Sequence, residues 1–185
     1  MKQSGIQQYI RSQEKQWFEQ FQPFLQGSVL KVGNGLGYFA GFMQKAGFDL
    51  TILEIQTNRQ AANKERVQLY DGKRFPFQDK TFDCVVCTFV LHHTPHPQQL
   101  LAEMQRVSRR LIILEETYDN LLAKADLVYR DIYVNTAAGQ PSKIYWHSYF
   151  KRGELEAIFA RQSLRLLHHQ TVKKRRYWKE LFVVE

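Results

Sequence analysis

The stretch Val29-Leu30-Lys31-Val32-Gly33-Asn34-Gly35-Leu36-Gly37-Tyr38-Phe39 decides the fold of this 185-residue chain. It begins as a short apolar strand, passes through three glycines at alternate positions, and continues as the apolar face of a helix. Alternate glycines let the backbone approach a ligand closely, because no Cβ stands in the way. The helix that follows points its unpaired N–H groups and the positive end of its dipole towards that ligand. The stretch therefore predicts a nucleotide-cofactor site at a strand-to-helix turn.

Length and composition predict one domain. With 185 residues, 44% of them apolar, the chain can bury one substantial core. We expect a single domain over residues 1–185, with a cap helix in residues 1–27 and a Rossmann-like core in residues 28–185. No apolar run reaches the length of a membrane span, and the first residues lack the apolar core of a secretory signal. These features predict a cytoplasmic protein.

The two cysteines do not predict a metal or redox site. Cys84 and Cys87 lie three residues apart in a predicted buried strand, so their side chains should face opposite sides of the sheet. We interpret both as small apolar core residues. The absence of a disulfide framework is typical of a reducing compartment.

The net charge of +8 is scattered except for the basic tetrad Lys173–Arg176. The tetrad separates two alternating apolar runs, which is typical of a solvated hairpin tip. Because a positive charge attracts anionic partners, nucleic acid stays open as an alternative partner.

Apolar periodicity predicts strands that alternate with helices, and this order indicates a parallel sheet with helices on both faces. Asn120 opens a further helix that carries Leu121, Ala125, Val128 and Ile132 on one side. The predicted elements are a helix over residues 5–25, strand Val29–Val32, helix Tyr38–Ala46, strand Leu50–Ile55, a short helix Asn58–Glu65, strands Val67–Tyr70 and Phe82–Val90, a helix from Pro97, strand Leu111–Leu114, the helix from Asn120, a helix through Leu155 and Phe159, and an antiparallel hairpin of Leu164–Val172 and Trp178–Val184.

Polar residues follow the predicted strands in order. Ligands of an open parallel sheet bind beyond the carboxyl ends of its strands. Glu54 ends the second strand, where a carboxylate can accept hydrogen bonds from both ribose hydroxyls, and Asp71-Gly72 follows the third, where it suits an adenine ring. Thr88 and the pair His92-His93 follow the fourth strand. Each signal alone fits an ordinary turn, but their succession indicates one site.

The chain resembles the class I S-adenosylmethionine-dependent methyltransferases, and in particular their small-molecule, quinone-biosynthesis-like branch. The resemblance runs from Val29 to Glu116 and rests on the glycine motif, Glu54, the stretch Asp71–Phe77 with Phe75-Pro76-Phe77, the stretch Phe82-Asp83-Cys84-Val85-Val86, and Leu91-His92-His93. It implies a doubly wound, mostly parallel seven-stranded sheet that ends in an antiparallel hairpin. It also implies an N-terminal helix that covers the cofactor.

The resemblance further implies the residues of the site. S-adenosylmethionine would be the cofactor and S-adenosylhomocysteine the product. The glycines would lie beside the methionine part of the cofactor, Glu54 would hold the ribose, and Asp71 and Gly72 would hold the adenine. The candidate cofactor-binding residues are Lys31, Gly33, Asn34, Gly35, Gly37, Glu54, Asp71, Gly72 and Thr88.

Lys31 departs from the family pattern. The family normally has Asp or Glu at this position, and that carboxylate helps to hold the ammonium group of the cofactor. A lysine has the wrong sign for this role, since the cofactor is itself positively charged there. Lys31 would instead hold the cofactor carboxylate or turn away, and it motivates an alternative in which the chain keeps the fold without the activity.

His92 and His93 are the candidate catalytic residues, because a histidine can remove a proton as a methyl group moves. A packing role for the pair is the alternative. An aromatic segment, Tyr145–Phe150, either lines an acceptor pocket or joins the core. No carboxylate cluster is evident at the site, so we expect no metal.

These features predict an enzyme that transfers a methyl group from S-adenosylmethionine to a small-molecule acceptor. The alternatives are a degenerate cofactor-binding protein and an RNA or protein methyltransferase. A nicotinamide oxidoreductase is disfavoured, because Tyr38 occupies the third glycine position of its G-x-G-x-x-G motif. The sequence names neither the acceptor nor the oligomeric state.

Overall fold

The computed structural model describes residues 5–56, 61, 66–140 and 143–185 of the chain. Apart from residue 61, the short helix predicted at residues 58–65 lies outside these described ranges. The described strands are β1 (Ser28–Val32), β2 (Asp49–Glu54), β3 (Val67–Leu69), β4 (Phe82–Thr88), β5 (Ser108–Tyr118), β6 (Phe150–Lys151), β7 (Leu166–Lys174) and β8 (Tyr177–Val184). The described α-helices are α1 (Gly5–Phe21), α2 (Tyr38–Lys45), α3 (Pro97–Val107), α4 (Leu121–Ala137) and α5 (Glu154–Arg161).

The strands form one mixed sheet in the order β3-β2-β1-β4-β5-β8-β7, and the short β6 pairs beside β5. Among the described strands, β8 pairs antiparallel with both β5 and β7, and all the other pairs are parallel. This arrangement confirms the predicted fold class, including the closing hairpin. The chain runs outward from β1 to β3 and then returns to β4, so the strand order reverses between β1 and β4. The carboxyl ends of these two strands are where such a sheet binds its ligands.

The central strands separate two apolar layers. Cys84 belongs to the layer that contacts α1 and α2, whereas Cys87 belongs to the opposite layer with α3 and α5. Both thiols are buried and free. The interpretation of the cysteines as core residues on opposite faces is therefore confirmed.

Helix α1 packs into the core through one apolar stripe. Trp17, Phe18 and Phe21 are buried against α2 and the central strands. The ring of Phe21 contacts those of Phe18 and Phe39, with centroids 5.6 Å away in each case. These contacts hold the helix beside the start of α2 and thus beside the glycine-rich turn.

The basic tetrad lies at the tip of the β7–β8 hairpin, as predicted. Because Tyr177 pairs with Tyr118 at the end of β5, the tip emerges at the carboxyl edge of the parallel strands. It lies next to the first residues of α4, across a cleft of about 340 Å³. The residues that line this cleft are Asp119, Asn120, Leu122, Ala123, Lys173, Arg175 and Arg176.

Helix α4 begins where predicted but presents a different face to the core. The side chain of Asn120 caps it by accepting a hydrogen bond from the N–H of Ala123. Leu121 and Ile132 are exposed, and the buried positions are Ala123, Lys124, Leu127 and Val128. Of the four residues that the sequence placed on one side, only Val128 is buried. Apolar residues surround the helix, so their period does not distinguish the inward side.

None of the helices in the described ranges is both long enough and apolar enough to span a membrane.

We expect α1 to unfold together with the sheet, because Phe21 has no solvent-exposed surface. The Phe21→Ala substitution should lower the free energy of unfolding by about 3–5 kcal/mol, the usual cost of emptying a buried aromatic site. Chemical denaturation followed by circular dichroism measures this change. The exposed neighbour Gln20→Ala is the control and should stay within about 0.5 kcal/mol of wild type. A small effect at Phe21 would show that α1 is only loosely attached.

Candidate functional site

The glycine-rich turn follows β1 and is shaped by a contact with the loop after β4. Gly33 has a φ of +71°, and a Cβ built there would lie 2.4 Å from Cγ2 of Val90. No side chain fits at that distance, and the left-handed backbone also favours glycine. Gly37 has a φ of +80° and precedes the first residue of α2. The turn therefore needs glycine where β1 and β4 lie side by side.

Glu54 is held against this turn by the main chain. One carboxylate oxygen accepts a hydrogen bond from the N–H of Asn34 at 2.9 Å, and the other accepts one from Ile55 at 2.8 Å. The end of β2 and the glycine-rich turn are thus joined directly. The structure brings these two sequence-predicted features together.

The turn after β3 lies next in line. A Cβ on Gly72 would contact the side chain of Ile55 at 3.5 Å, so the Asp71-Gly72 turn lies beside the residue that follows Glu54. Asp71 accepts hydrogen bonds from the N–H groups of Lys73 and Arg74, at 2.9 and 3.3 Å. These bonds lower the pKa of the exposed Asp71 carboxyl group. Val90, Gly33, Glu54 and Gly72 therefore mark an arc across the carboxyl ends of four strands.

The end of β4 completes the arc. Thr88 is buried as the last residue of the strand, and Phe89 follows with a φ of +55°. A residue other than glycine in this region carries a strain of about 1–3 kcal/mol. The N–H of Phe89 donates a hydrogen bond of 2.8 Å to the carbonyl oxygen of Leu114, and this bond holds the strained backbone in place. The turn that contains Leu91, His92 and His93 begins directly after it.

Lys31 does not turn away from the glycine-rich turn. Its ammonium group is buried and donates hydrogen bonds to the carbonyl oxygens of Val32 and Gly33, at 3.0 and 2.6 Å. Burial lowers the pKa of this lysine. The two carbonyl bonds offset part of the cost of burying its charge.

Glu14 of α1 also reaches the turn, and sequence reasoning missed it. Its carboxylate accepts a hydrogen bond of 3.1 Å from the N–H of Phe39, in the first turn of α2. Burial raises the pKa of Glu14 to about 7, although the charge of Lys31 opposes this shift. The sequence did contain a signal, because Glu14 lies three and four residues before Trp17 and Phe18, on the apolar stripe that packs α1.

Two helices close over the glycine-rich turn from outside the sheet. Leu36 and Tyr38 form a small apolar cluster with Ala138, which follows α4. From α1, the side-chain amide of Gln7 donates a hydrogen bond of 3.4 Å to the carbonyl oxygen of Ala138. The start of α1 and the end of α4 therefore meet above this part of the site.

His92 is fully buried at the end of β4 and bonded to Glu115 of β5. Its Nδ1 forms a short hydrogen bond with one carboxylate oxygen of Glu115, while the N–H of Leu91 donates to the other at 3.0 Å. Glu115 is itself fully buried. Sequence reasoning missed Glu115, although a carboxylate at the end of an apolar strand is the kind of signal that identified Glu54.

Asp131 of α4 faces both histidines. Its Oδ1 lies 3.7 Å from Nε2 of His92 and 3.5 Å from Nε2 of His93. Its Oδ2 accepts a hydrogen bond of 2.7 Å from the hydroxyl of Tyr149, whose ring stacks on His92 with a centroid distance of 4.9 Å. No feature of the sequence indicated Asp131, because apolar residues surround its helix and do not show which side faces the sheet.

The charges in this cluster shift one another's pKa values. Burial opposes the charged form of His92, but Glu115 and Asp131 outweigh it and raise the pKa of His92 well above its usual value. Burial likewise opposes the charged form of Asp131, but the two imidazoles lower its pKa strongly. Burial and then the charge of Asp131 raise the pKa of Tyr149.

The aromatic segment Tyr145–Phe150 lies against the histidine turn. Tyr149 and Phe150 are buried, whereas Trp146 is half exposed. His147 donates through Nε2 to the carbonyl oxygen of Pro95 at 3.1 Å, which ties the segment to the loop that precedes α3. The segment therefore contributes both to the core and to the surface beside the histidines.

The sequence around the candidate site is similar to that of known methyltransferases. The family described as "Methyltransferase domain" matches residues 30–111. An uncharacterized methyltransferase of Mycobacterium marinum is 34% identical over 89 residues, which are 44% of this chain and 35% of that protein. The match thus spans about a third of the length of this curated relative.

Solved structures share the fold over most of the chain. The PH0226 protein of Pyrococcus horikoshii superposes with a TM-score of 0.64 at 18% identity, covering 92% of this chain and 90% of that one. A SAM-dependent methyltransferase of Aquifex aeolicus superposes with a TM-score of 0.59 at 15% identity, covering 95% and 98%. At these identities the likeness concerns the fold alone, and none of these proteins points to the quinone-biosynthesis branch. Over residues 30–111 the chain is thus similar to methyltransferase domains, and its fold is similar to that of SAM-dependent methyltransferases.

Proposed function

We propose that this protein transfers a methyl group from S-adenosylmethionine to a small-molecule acceptor. The observation that carries the proposal is the hydrogen bond between Glu54 and the N–H of Asn34, at the point where the strand order reverses. It puts a carboxylate suited to a ribose beside a turn suited to the methionine part of the cofactor. The reactivity would come from the sulfonium of the cofactor, while the protein supplies proximity and orientation.

The arc of strand ends supports the assignment of the cofactor residues. Glu54 would accept hydrogen bonds from the ribose hydroxyls. Asp71 and Gly72, one strand further along the sheet, would lie beside the adenine. The glycine-rich turn would lie against the methionine part of the cofactor through Gly33, Asn34, Gly35 and Gly37. Thr88 would border the methionine part from β4.

Glu14 would supply the carboxylate that Lys31 cannot. In the family pattern, an acidic residue at the position of Lys31 helps to hold the ammonium group of the cofactor. Here the lysine is bonded to carbonyl oxygens of the glycine-rich turn, and a carboxylate reaches the same turn from α1. The negative charge would thus come from a neighbouring helix, while Lys31 fixes the backbone of the turn.

The closure of the site favours a small acceptor over a polymer. The start of α1 and the end of α4 meet above the glycine-rich turn, and this leaves little room for a long groove. The basic tetrad lies on the same edge of the sheet but beside Asp119 and Asn120, and its cleft includes none of the predicted cofactor residues. An RNA methyltransferase would need a basic groove that leads into the site.

His92 and His93 would border the acceptor side. His92 is buried, and its Nδ1 is engaged by Glu115, which favours a positioning role over proton transfer. His93 is partly exposed beside it. The aromatic segment Tyr145–Phe150 would form the neighbouring wall for an apolar or aromatic acceptor.

The Glu54→Ala substitution should weaken binding of S-adenosylhomocysteine roughly ten- to a hundredfold, because it removes charge-assisted hydrogen bonds to the ribose. Isothermal titration calorimetry measures the affinity. Asp49→Ala is the matched control, since Asp49 is exposed at the opposite end of the same strand. Equal affinity in the Glu54 variant and wild type would remove Glu54 from the site.

Glu14→Gln should weaken S-adenosylhomocysteine about tenfold but leave 5′-methylthioadenosine unchanged, because the second ligand lacks the amino-acid part and its ammonium group. Calorimetry with both ligands separates a local charge effect from a general disturbance of the site. The control is Glu19→Gln, an exposed residue of the same helix that pairs with Lys15. Loss of affinity for both ligands would contradict the role proposed for Glu14.

The affinity of the wild type for S-adenosylhomocysteine should also rise from about pH 6 to about pH 8. The pKa of Glu14 is raised to about 7, so its carboxyl group is neutral at the lower pH and attracts the ammonium only at the higher one. Lys31, Lys179 and Tyr38 interact electrostatically with Glu14 and are retained in Glu14→Gln. The pH dependence should therefore flatten in that variant, and an unchanged slope would assign it to another group.

Methyl transfer itself is tested by incubating the protein with methyl-labelled S-adenosylmethionine and a metabolite extract. We expect label in a small molecule that is soluble after protein and nucleic acid are removed, and loss of that label in Glu54→Ala. Cofactor binding without any labelled product would support the degenerate alternative. Label in the macromolecular fraction would instead favour the polymer alternative.

A further inference from the structure

We propose that His92, His93 and Asp131 form a binding site for a divalent transition-metal ion. One ligand atom from each of the three residues lies within 4.8 Å of the other two, and Nε2 of each histidine faces Oδ1 of Asp131. The two distances to Oδ1 are 3.5 and 3.7 Å. In a tetrahedral zinc site with bonds near 2.1 Å, neighbouring ligand atoms are about 3.4 Å apart. Small rotations of the partly exposed His93 ring would complete the geometry.

The Nε2 atom of His92 lacks a hydrogen-bond partner, and this supports the presence of a ligand beside it. The residue is 1% exposed, and this nitrogen is buried without a hydrogen-bond partner. Its nearest carboxylate oxygen is 3.7 Å away, beyond hydrogen-bonding distance. A buried polar atom of this kind is costly, because it has given up its contacts with water. A metal ion between His92 and Asp131 would satisfy it.

The second atom of each ligand is already oriented, as it is in metal sites. Ligating histidines usually donate their other ring N–H to a carboxylate or a carbonyl. Here Nδ1 of His92 is bonded to Glu115, and Nδ1 of His93 lies 3.4 Å from the carbonyl oxygen of Lys143. The second oxygen of Asp131 accepts the hydroxyl of Tyr149. These bonds direct both Nε2 atoms and Oδ1 to the same point.

The charges and donors of the cluster select the ion. Two imidazoles and one carboxylate suit zinc and other first-row transition metals rather than magnesium or calcium, which prefer oxygen ligands. The carboxylates of Asp131 and Glu115 together balance the two positive charges of the ion. Three protein ligands leave a position for water or for an oxygen of a bound molecule. On the proposed function, that molecule would be an acceptor with a hydroxyl or carboxylate group.

A second histidine and carboxylate cluster lies near the hairpin and serves as an internal comparison. It consists of Glu156, His169 and Glu180. There, Nε2 of His169 already forms a hydrogen bond of 2.7 Å with Glu180, whose other oxygen is bonded by Thr117. In contrast to His92, neither ring nitrogen of His169 is both buried and without a hydrogen-bond partner. We therefore assign the ion to the cluster around Asp131.

The test uses Co²⁺ alone as the probe, added to protein that has been treated with a chelator and then desalted. Wild type should bind one ion per chain and show the intense visible absorption of a four- or five-coordinate Co²⁺ site. His93→Ala should weaken binding at least about tenfold, and Tyr149→Phe should weaken it roughly tenfold by freeing the Asp131 carboxylate. The exposed His96→Ala should bind as wild type does. Circular dichroism confirms that each variant is folded.

Three results would overturn the site: no stoichiometric binding to wild type, full binding in His93→Ala, or loss of binding in His169→Gln but not in His93→Ala. The last would assign the ion to the hairpin cluster. The measurement requires neither cofactor nor acceptor. Its failure would therefore leave the proposed methyl transfer standing, and failure of methyl transfer would leave the metal site standing.

Discussion

The close packing of Gly33 against Val90 is the constraint on which the rest of the site depends. β1 and β4 are adjacent because the strand order reverses between them, and their carboxyl ends have to part into two different loops. The side chain of Val90 fills the space in which a Cβ at position 33 would lie. The turn therefore bends away from β4 and towards β2, where its N–H group at Asn34 meets Glu54. The arc of strand ends is a consequence of how two neighbouring strands separate.

Several charged side chains are buried in this structure. Lys31, Glu115 and Glu180 are each no more than 2% exposed. Burying an ionised group without partners costs far more than a folded domain can sustain, so each charge must be balanced by hydrogen bonds or by an opposite charge. Lys31 is balanced by two carbonyl oxygens, and Glu115 by two backbone N–H groups and an imidazole. These balanced charges concentrate at the carboxyl edge of the sheet, where a ligand would meet them already oriented.

Local patterns were sufficient to predict most of the fold. Apolar runs such as Leu111–Leu114 identified the strands, because a strand buried on both faces has few polar residues. Glycines and caps identified the turns, since a positive φ or a free N–H group needs a particular residue type. The face of α4 could not be predicted this way, because Leu121, Leu122 and Tyr129 are apolar yet exposed. Only packing against the sheet selects Leu127 and Val128 instead.

The residues of the candidate site also divide into those that local sequence patterns predict and those that only packing brings into place. Glu54 was predictable because it ends a strand, and strand ends converge whatever the details of packing. Glu14 and Asp131 belong to helices, and their place depends on how each helix rotates against the sheet. A search confined to strand ends finds the arc of strand ends but overlooks what the helices contribute. In this chain, Glu14 lies near the charge of Lys31, and Asp131 faces two histidines.

The position of Lys31 shows that a departure from a family motif need not remove a carboxylate from the glycine-rich turn. A motif records which residue type stands at a sequence position, but a ligand responds to the charge at a point in space. That point can be reached from β1 or from α1, because both elements meet at the first turn of α2. Glu14 brings a carboxylate there through the N–H of Phe39, and Lys31 turns its charge towards the backbone of the glycine-rich turn. A carboxylate and a lysine thus reach the turn from two different elements, and this arrangement is visible only once the chain is folded.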